Sequence, residues 1–243
     1  MIKKIFFFTL LGSLFFAQEK ENEIRFEGYP YGQQFYIGGY SQFFKELHQI
    51  FIQKKLKPCD NKNELYTPWI VINPDASIVI PEAKDVKDIN EIRCSYNIVK
   101  DSFKYLNNWK PATVDDKNIV AGTFIPIYLN ALFDNYKEGY DVNNFMSDAE
   151  FSDGMGEFRK RFVNNVNFKS FKIGNIKRVV INFIVNDEGN IENIHLEKSS
   201  GNKKFDAMLV NSINMINGKW KPAMIHGIPV NSRFTFPVKL NNN

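Results

Sequence analysis

The chain has 243 residues, 44% hydrophobic and 24% charged, enough for one large or two small domains with real cores. Its formal charge is only +4, and Lys3 and Lys4 supply half of that. No basic cluster interleaved with aromatics occurs, which sets nucleic acid aside as a partner, while 23 Phe and 10 Tyr point to cores and surfaces built on large flat side chains.

Residues 1–17 combine Lys3 and Lys4 with an apolar stretch of 13 residues from Ile5 to Ala17. That pattern reads as a signal peptide for export to the periplasm, since a membrane span needs about 18 or more apolar residues. Phe15 is a poor residue for the position three before a cut after Ala17, and an uncleaved inner-membrane anchor is the alternative. Residues 18–34 form a lead-in that ends in an aromatic, Gly-rich run: Tyr29, Tyr31, Phe35, Tyr36 and Tyr40 among Gly28, Gly32, Gly38 and Gly39. This run is either a binding surface or packing against the first folded module.

A repeat organises the rest. Trp109-Lys110-Pro111-Ala112 recurs as Trp220-Lys221-Pro222-Ala223, and 17 positions after each Trp stands a proline in a β-like run, Pro126 and Pro237. Gly39, Phe43 and Leu47 align with Gly154, Phe158 and Phe162, and Ile70 to Asn73 aligns with Phe183 to Asn186. The offset falls from 115 to 113 to 111 along the copies, as small loop deletions would produce. One copy is expected over 35–128 and the other over 151–243, with 129–150 as a polar linker.

In the first copy the spacing predicts a helix over Ser41 to Lys54, a strand over Tyr66 to Asn73 and a turn at Pro74 to Ser77. A second strand from Ile78, weakened by Pro81, leads to a polar loop and a helix over Tyr96 to Asn107. Cys59 and Cys94 are the only cysteines. In an exported chain they read as a disulfide; two free thiols or half of a metal site are the alternatives. No metal-ligand spacing surrounds them.

In the second copy Phe158, Phe162 and Val166 mark a helix face, and Val179, Ile181, Phe183 and Val185 alternate as a half-buried strand. Asp187 to Asn190 is a hairpin turn, with Gly189 free to take positive φ. Ile194 and Leu196 continue the returning strand, and Ser199 and Ser200 are placed to cap a helix that carries Phe205, Leu209 and Ile213. Trp220 folds back as a plug, and the last strand, from Ser232 to Leu240, contains Pro237, which suits an edge. Each copy is thus α+β, two helices on a three-stranded antiparallel sheet. Trp109, Pro111, Trp220, Pro222 and Gly189 have structural roles. His48, His195 and His226 are scattered and no nucleophile elbow exists, so the chain is expected to be no enzyme and to need no cofactor or metal.

Phe183 to Gly189, Ser199-Ser200-Gly201, Phe205-Asp206, Trp220 to Ala223, Gly227 to Val230 and Phe234 to Val238 together resemble the C-terminal domain of the TonB family. The first copy resembles it through Trp109 to Ala112, Thr123 to Ile127 and a Phe35 to Gly39 lead-in similar to that of Bacteroidetes-type members. The resemblance implies tandem TonB C-terminal-like modules, in a periplasmic protein that binds a TonB-dependent outer-membrane transporter or another envelope protein. It implies that the partner adds a strand to the sheet edge at Ser232, Arg233, Phe234, Thr235, Phe236 and Val238. Two alternatives are an energy transducer held by an uncleaved anchor and a scaffold that forms homodimers through its edge strands. Residues 18–34 contain only one proline, Pro30, where a transducing TonB carries a long Pro-rich spacer.

Overall fold

The computed structural model describes residues 27–81, 92–167, 171 and 178–239. The expected signal peptide, most of the lead-in before Gly28 and the polar loop after Pro81 lie outside the described residues.

The first half runs β1 (Glu27–Gly28), α1 (Gly39–Gln53), β2 (Leu65–Tyr66), β3 (Trp69–Ile72), β4 (Ile78–Val79), α2 (Arg93–Phe103), β5 (Ala112–Val114), β6 (Lys117–Ile119), β7 (Ala121–Phe124) and β8 (Ile127–Tyr128). Two 3₁₀ turns, Leu129–Ala131 and Val142–Phe145, lead to β9 (Met146–Ser147). The second half runs β10 (Glu150–Phe151), α3 (Gly154–Asn165), β11 (Arg178–Val185), β12 (Ile191–Leu196), α4 (Lys203–Asn214), β13 (Trp220–Lys221), β14 (Ala223–Ile225), β15 (Ile228–Val230) and β16 (Ser232–Lys239).

The two halves repeat one plan. The second sheet has the order β12-β11-β16, and the first has β4-β3-β7 with β1 added outside β7. Both first hairpins close alike: the Ala76 N–H donates to Asn73 O and the Asn73 N–H to Ser77 O, as the Gly189 N–H does to Asn186 O and the Asn186 N–H to Asn190 O. Ala76 and Gly189 both take positive φ, at 65° and 81°. The later hairpins, β5–β6 and β14–β15, each turn on two residues with positive φ, Asp115 and Asp116 in one and His226 and Gly227 in the other. A two-residue turn of that kind matches the natural twist of a hairpin.

Helix α1 buries Phe43, Phe44, Leu47, Ile50 and Phe51 along one stripe, and α3 buries Phe158 and Phe162. Strand β11 buries Val179, Ile181, Phe183 and Val185 in alternation, as its period of two requires. Its register with β12 shifts between Asn182 and Ile184, with Asn193 on the bulged strand at φ 53°. The tryptophans plug both cores. Trp109 lies edge-on to Tyr36 at 5.3 Å, and Trp220 edge-on to Phe158 at 5.2 Å and to Phe234 at 4.9 Å. The segment entering each half pairs with the tryptophan strand, Tyr36 with Trp109 and Phe151 with Trp220.

Three expectations need correction. The first sheet has four strands, because the lead-in adds β1 in parallel to β7. Residues 129–150 are no free linker: Leu129, Leu132, Phe133, Tyr140 and Val142 are buried in the first core, and β9 pairs with β14 of the second half. Their polar neighbours hide an apolar period too irregular to read. Capping of α4 falls to Asn202, whose side chain accepts from the Lys204 and Phe205 N–H groups, while Ser199 and Ser200 bond Asp206. The helix bounds shift as well: α1 and α2 start earlier than the spacing suggested, at Gly39 and Arg93, and α2 ends at Phe103 rather than at Asn107.

Cys59 and Cys94 are disulfide-bonded, with 5.9 Å between their Cα atoms. The bridge ties the loop after α1 to the first turn of α2. Glu64 reinforces this junction, because its carboxylate accepts the Ser95 N–H at 2.8 Å, at a helix start that no N-cap side chain satisfies. Replacing both cysteines by serine is expected to lower stability by about 3–4 kcal/mol. Native-state hydrogen exchange should place the loss in α2 and β2 rather than in β11–β16.

The matched turns give a paired test. A Cβ on Gly189 would lie 2.2 Å from the Trp220 carbonyl oxygen, so Gly189→Ala adds a backbone clash to left-handed strain. It should cost roughly 2 kcal/mol or more. Ala76→Gly relieves the same strain where no such clash applies and should stabilise by about 0.5–1 kcal/mol. Denaturant titrations of both variants check the opposite signs.

Candidate functional site

Strand β16 pairs with β11 over eight residues without a break, from Arg178 opposite Lys239 to Val185 opposite Ser232. Pro237 lies within this ladder, opposite Val180. Since proline has no N–H, an unbroken ladder requires its nitrogen to face away from β11. By alternation, the N–H and C=O groups of Arg233 and Thr235 face the same way. No described strand lies there: among the described residues the outer side of β16 is bare.

The residues expected to bind a partner divide by face. Arg233 and Thr235 are exposed on the outer face of the sheet with Pro237 and Lys239, and Thr235 Oγ1 donates to Asn182 Oδ1 at 3.0 Å. Ser232 and Phe234 are half-buried, and Phe236 and Val238 are buried. The Phe236 ring packs between helix residues Phe158 and Phe162, at 5.3 and 5.1 Å, and Phe234 stacks on Phe183 at 5.1 Å. These aromatics therefore hold the strand flat on its core, and the edge itself offers backbone groups flanked by Arg233, Thr235 and Lys239.

The residues assigned structural roles fall where the repeat put them. Trp109 and Trp220 are buried, and the Trp109 Nε1–H donates to Leu106 O at 3.0 Å. Its counterpart in the second half, the Trp220 Nε1–H, has no hydrogen-bond partner among the described residues. There the carbonyl at the matching position, Asn217 O, accepts from Arg161 instead. Pro111 and Pro222 follow the paired tryptophan strands and lead into β5 and β14. Cys59, Glu64 and Cys94 place their ligand atoms within 4.8 Å of one another, but both sulfurs are spent on the disulfide.

One constellation is invisible to sequence reasoning. His226, at the tip of the β14–β15 hairpin, is sandwiched between Tyr128 of the first half at 4.5 Å and Phe145 at 4.3 Å. Its Nε2 meets the Tyr140 hydroxyl at 2.7 Å, and its N–H donates to Phe145 O. Ile225 and Val230 of the same hairpin pack on the first core. These contacts join the halves beside a cavity of about 620 Å³ that Tyr136 and Asp141 also line. Only the two-residue turn is visible in the sequence, since Tyr140 stands 86 positions away from His226.

Residues 174–241 match the family model described as Gram-negative bacterial TonB protein C-terminal. The second half contains a TonB C-terminal domain. The match spans the β12-β11-β16 sheet, α4 and the β14–β15 hairpin, so β16 is the last strand of the TonB domain. Neither a curated protein nor a solved structure gives a significant match. Among the described residues no helix is long and apolar enough to cross a membrane.

The His226 contact joins the TonB domain to the first half and is expected to respond to pH. Burial holds the His226 pKa below its ordinary 6.5, so the folded protein favours the neutral ring that accepts from Tyr140. Burial also raises the Tyr140 pKa, keeping the donor protonated. A lowered folded pKa means that the stabilisation is complete above the ordinary value and is lost as pH falls through the lowered one. Protection factors at Phe145 to Ser147 and at Ile225 to Gly227 should therefore drop between about pH 7 and pH 5. His226→Asn tolerates the left-handed turn and should abolish that dependence.

Proposed function

We propose that this protein is a non-catalytic, periplasmic TonB-like protein that binds an extended segment of an envelope protein by strand addition to β16. A TonB-dependent outer-membrane transporter is the foremost partner, in keeping with the family of the second half. The observation that carries this reading is an edge strand of eight residues, fully paired on one side and bare on the other among the described residues. Such an edge presents unpaired N–H and C=O groups as a template for one more strand. Its outward row includes Arg233 and Lys239, and Arg178 lies opposite Lys239, so an acidic segment is favoured.

The same edge could join two copies of the chain, and the test distinguishes these outcomes. An extended, acidic transporter peptide should shift the backbone amides of Ser232 to Lys239. Thr235→Pro should suppress this by removing an outward N–H while leaving the ladder to β11 in place. Solution mass stays that of a monomer in both proteins if the edge serves a partner. A dimer that Thr235→Pro dissolves would mark self-association instead. Absence of amide shifts at high peptide concentration would overturn strand addition.

A further inference from the structure

The two halves use the same edge in opposite ways. Strand β7 is the counterpart of β16: Thr123 pairs with Ile70 as Phe234 pairs with Phe183, and Pro126 corresponds to Pro237. Yet the outer side of β7 is filled. Glu27 and Gly28 pair with Ala121 and Gly122 in parallel, so the chain has added a strand of its own to the first sheet. We propose that the β7 edge is a second strand-acceptor site, held closed by the chain's own lead-in, and that it takes an extended peptide running parallel to β7. This rests on strand addition as the mode of the β16 edge.

Three observations support it. First, the fold does not need the added strand. The stretch that corresponds to Glu27–Gly28 ahead of the second half is part of the 3₁₀ turn Val142–Phe145, and the next strand, β9, pairs with β14 rather than with β16. The TonB domain thus forms its sheet with the edge left open. Second, the closing ladder is short, two residues, and its remaining attachments sit at the rim. The Tyr29 hydroxyl donates to Lys110 O at 2.6 Å, and the Gln33 side-chain amide pairs with the Thr113 backbone, donating at 2.7 Å and accepting at 2.8 Å. Gln33 therefore imitates a peptide group beside β5. The deep anchor comes later, at Phe35 and Tyr36, which are buried against Trp109. Tyr29 is only half-buried at the margin of that core, so residues 27–33 have a shallower hold than Phe35 and Tyr36.

Third, an aromatic surface flanks the edge, while a Cβ on Gly28 itself would meet open space. A Cβ on Gly122 would lie 1.9 Å from Trp69 Cζ2, so the indole lies directly over the strand at the point where Gly28 pairs. Phe124, beside Trp69 at 4.6 Å, is largely exposed and extends this aromatic surface along the edge. The favoured ligand is an extended segment running parallel to β7, like β1, with an apolar residue that reaches the exposed Phe124 ring.

The lead-in itself is the probe. In the full chain, Tyr29→Phe with Gln33→Ala removes the side-chain hydrogen bonds of the lead-in to Lys110 and Thr113 and leaves Phe35 and Tyr36 untouched. Amide protection at Gly122, whose N–H faces β1, should fall roughly tenfold, the scale of losing such hydrogen bonds, while Ala121 and Thr123, which face β3, stay protected. A synthetic peptide of residues 22–34 should then shift the Ala121 to Phe124 amides of the variant and leave those of the unmodified chain in place. The inference is overturned if protection falls and the peptide still fails to bind the β7 edge, if the double substitution leaves protection unchanged, or if the unmodified chain binds the peptide there equally well. The amides of Ser232 to Lys239 in the same spectra report whether the variant is folded. Their response to a transporter peptide tests the β16 reading separately.

Discussion

Each half of this protein is organised around a tryptophan that turns back under its sheet after the second helix. Trp109 and Trp220 each meet the first helix and the entering strand within an aromatic cluster, which Trp109 extends to α2 through Phe103 and Trp220 to the sheet through Phe183. The edge-to-face contacts there add to the burial of the large rings and constrain their orientation. Because the entering strand pairs with the tryptophan strand, the plug also fixes where the chain comes in. It thereby decides whether the preceding residues can reach the sheet edge.

That entry point explains how one architecture yields two different edges. In the first half the residues before Phe35 reach the outer side of β7 and pair with Ala121 and Gly122. In the second half the residues before Phe151 are held by Tyr140, Val142 and the β9–β14 pair, which keeps them beside the first core and away from β16. An exposed edge of eight residues is a hazard for uncontrolled pairing, and the strand limits it with Pro237, Arg233 and Lys239 on its outer side. Strand addition by a partner satisfies the same backbone groups.

The His226 hairpin has a separate part. The corresponding hairpin of the first half, β5–β6, receives the Gln33 side chain, whereas β14–β15 reaches out of its own module and inserts His226 among rings of the first half and of the connecting segment. The halves are thus joined by a packed aromatic contact as well as by covalent connection. A neutral imidazole serves there as a flat, hydrogen-bonding ring, and its protonation opposes both burial and acceptance from Tyr140.

Much of this was legible in the sequence because it depends on local rules. Alternation along Val179 to Val185, helical spacing of Phe43, Leu47 and Ile50, turn chemistry at Gly189 and the recurrence of Trp-Lys-Pro-Ala all derive from short-range periodicity and steric demand. They determined the α+β class, the repeat, the edge position of β16 and the cysteine pair. Tertiary structure alone decided the occupied β7 edge, the burial of Leu129, Leu132, Phe133, Tyr140 and Val142, and the His226 contact. In each case the groups that meet are far apart in the chain: Glu27 pairs with Ala121, and Tyr140 and His226 are 86 positions apart. No local pattern encodes which of several free edges a passing segment will fill. That is set by where the tryptophan plug lets the chain enter and by how far the entering segment can then reach.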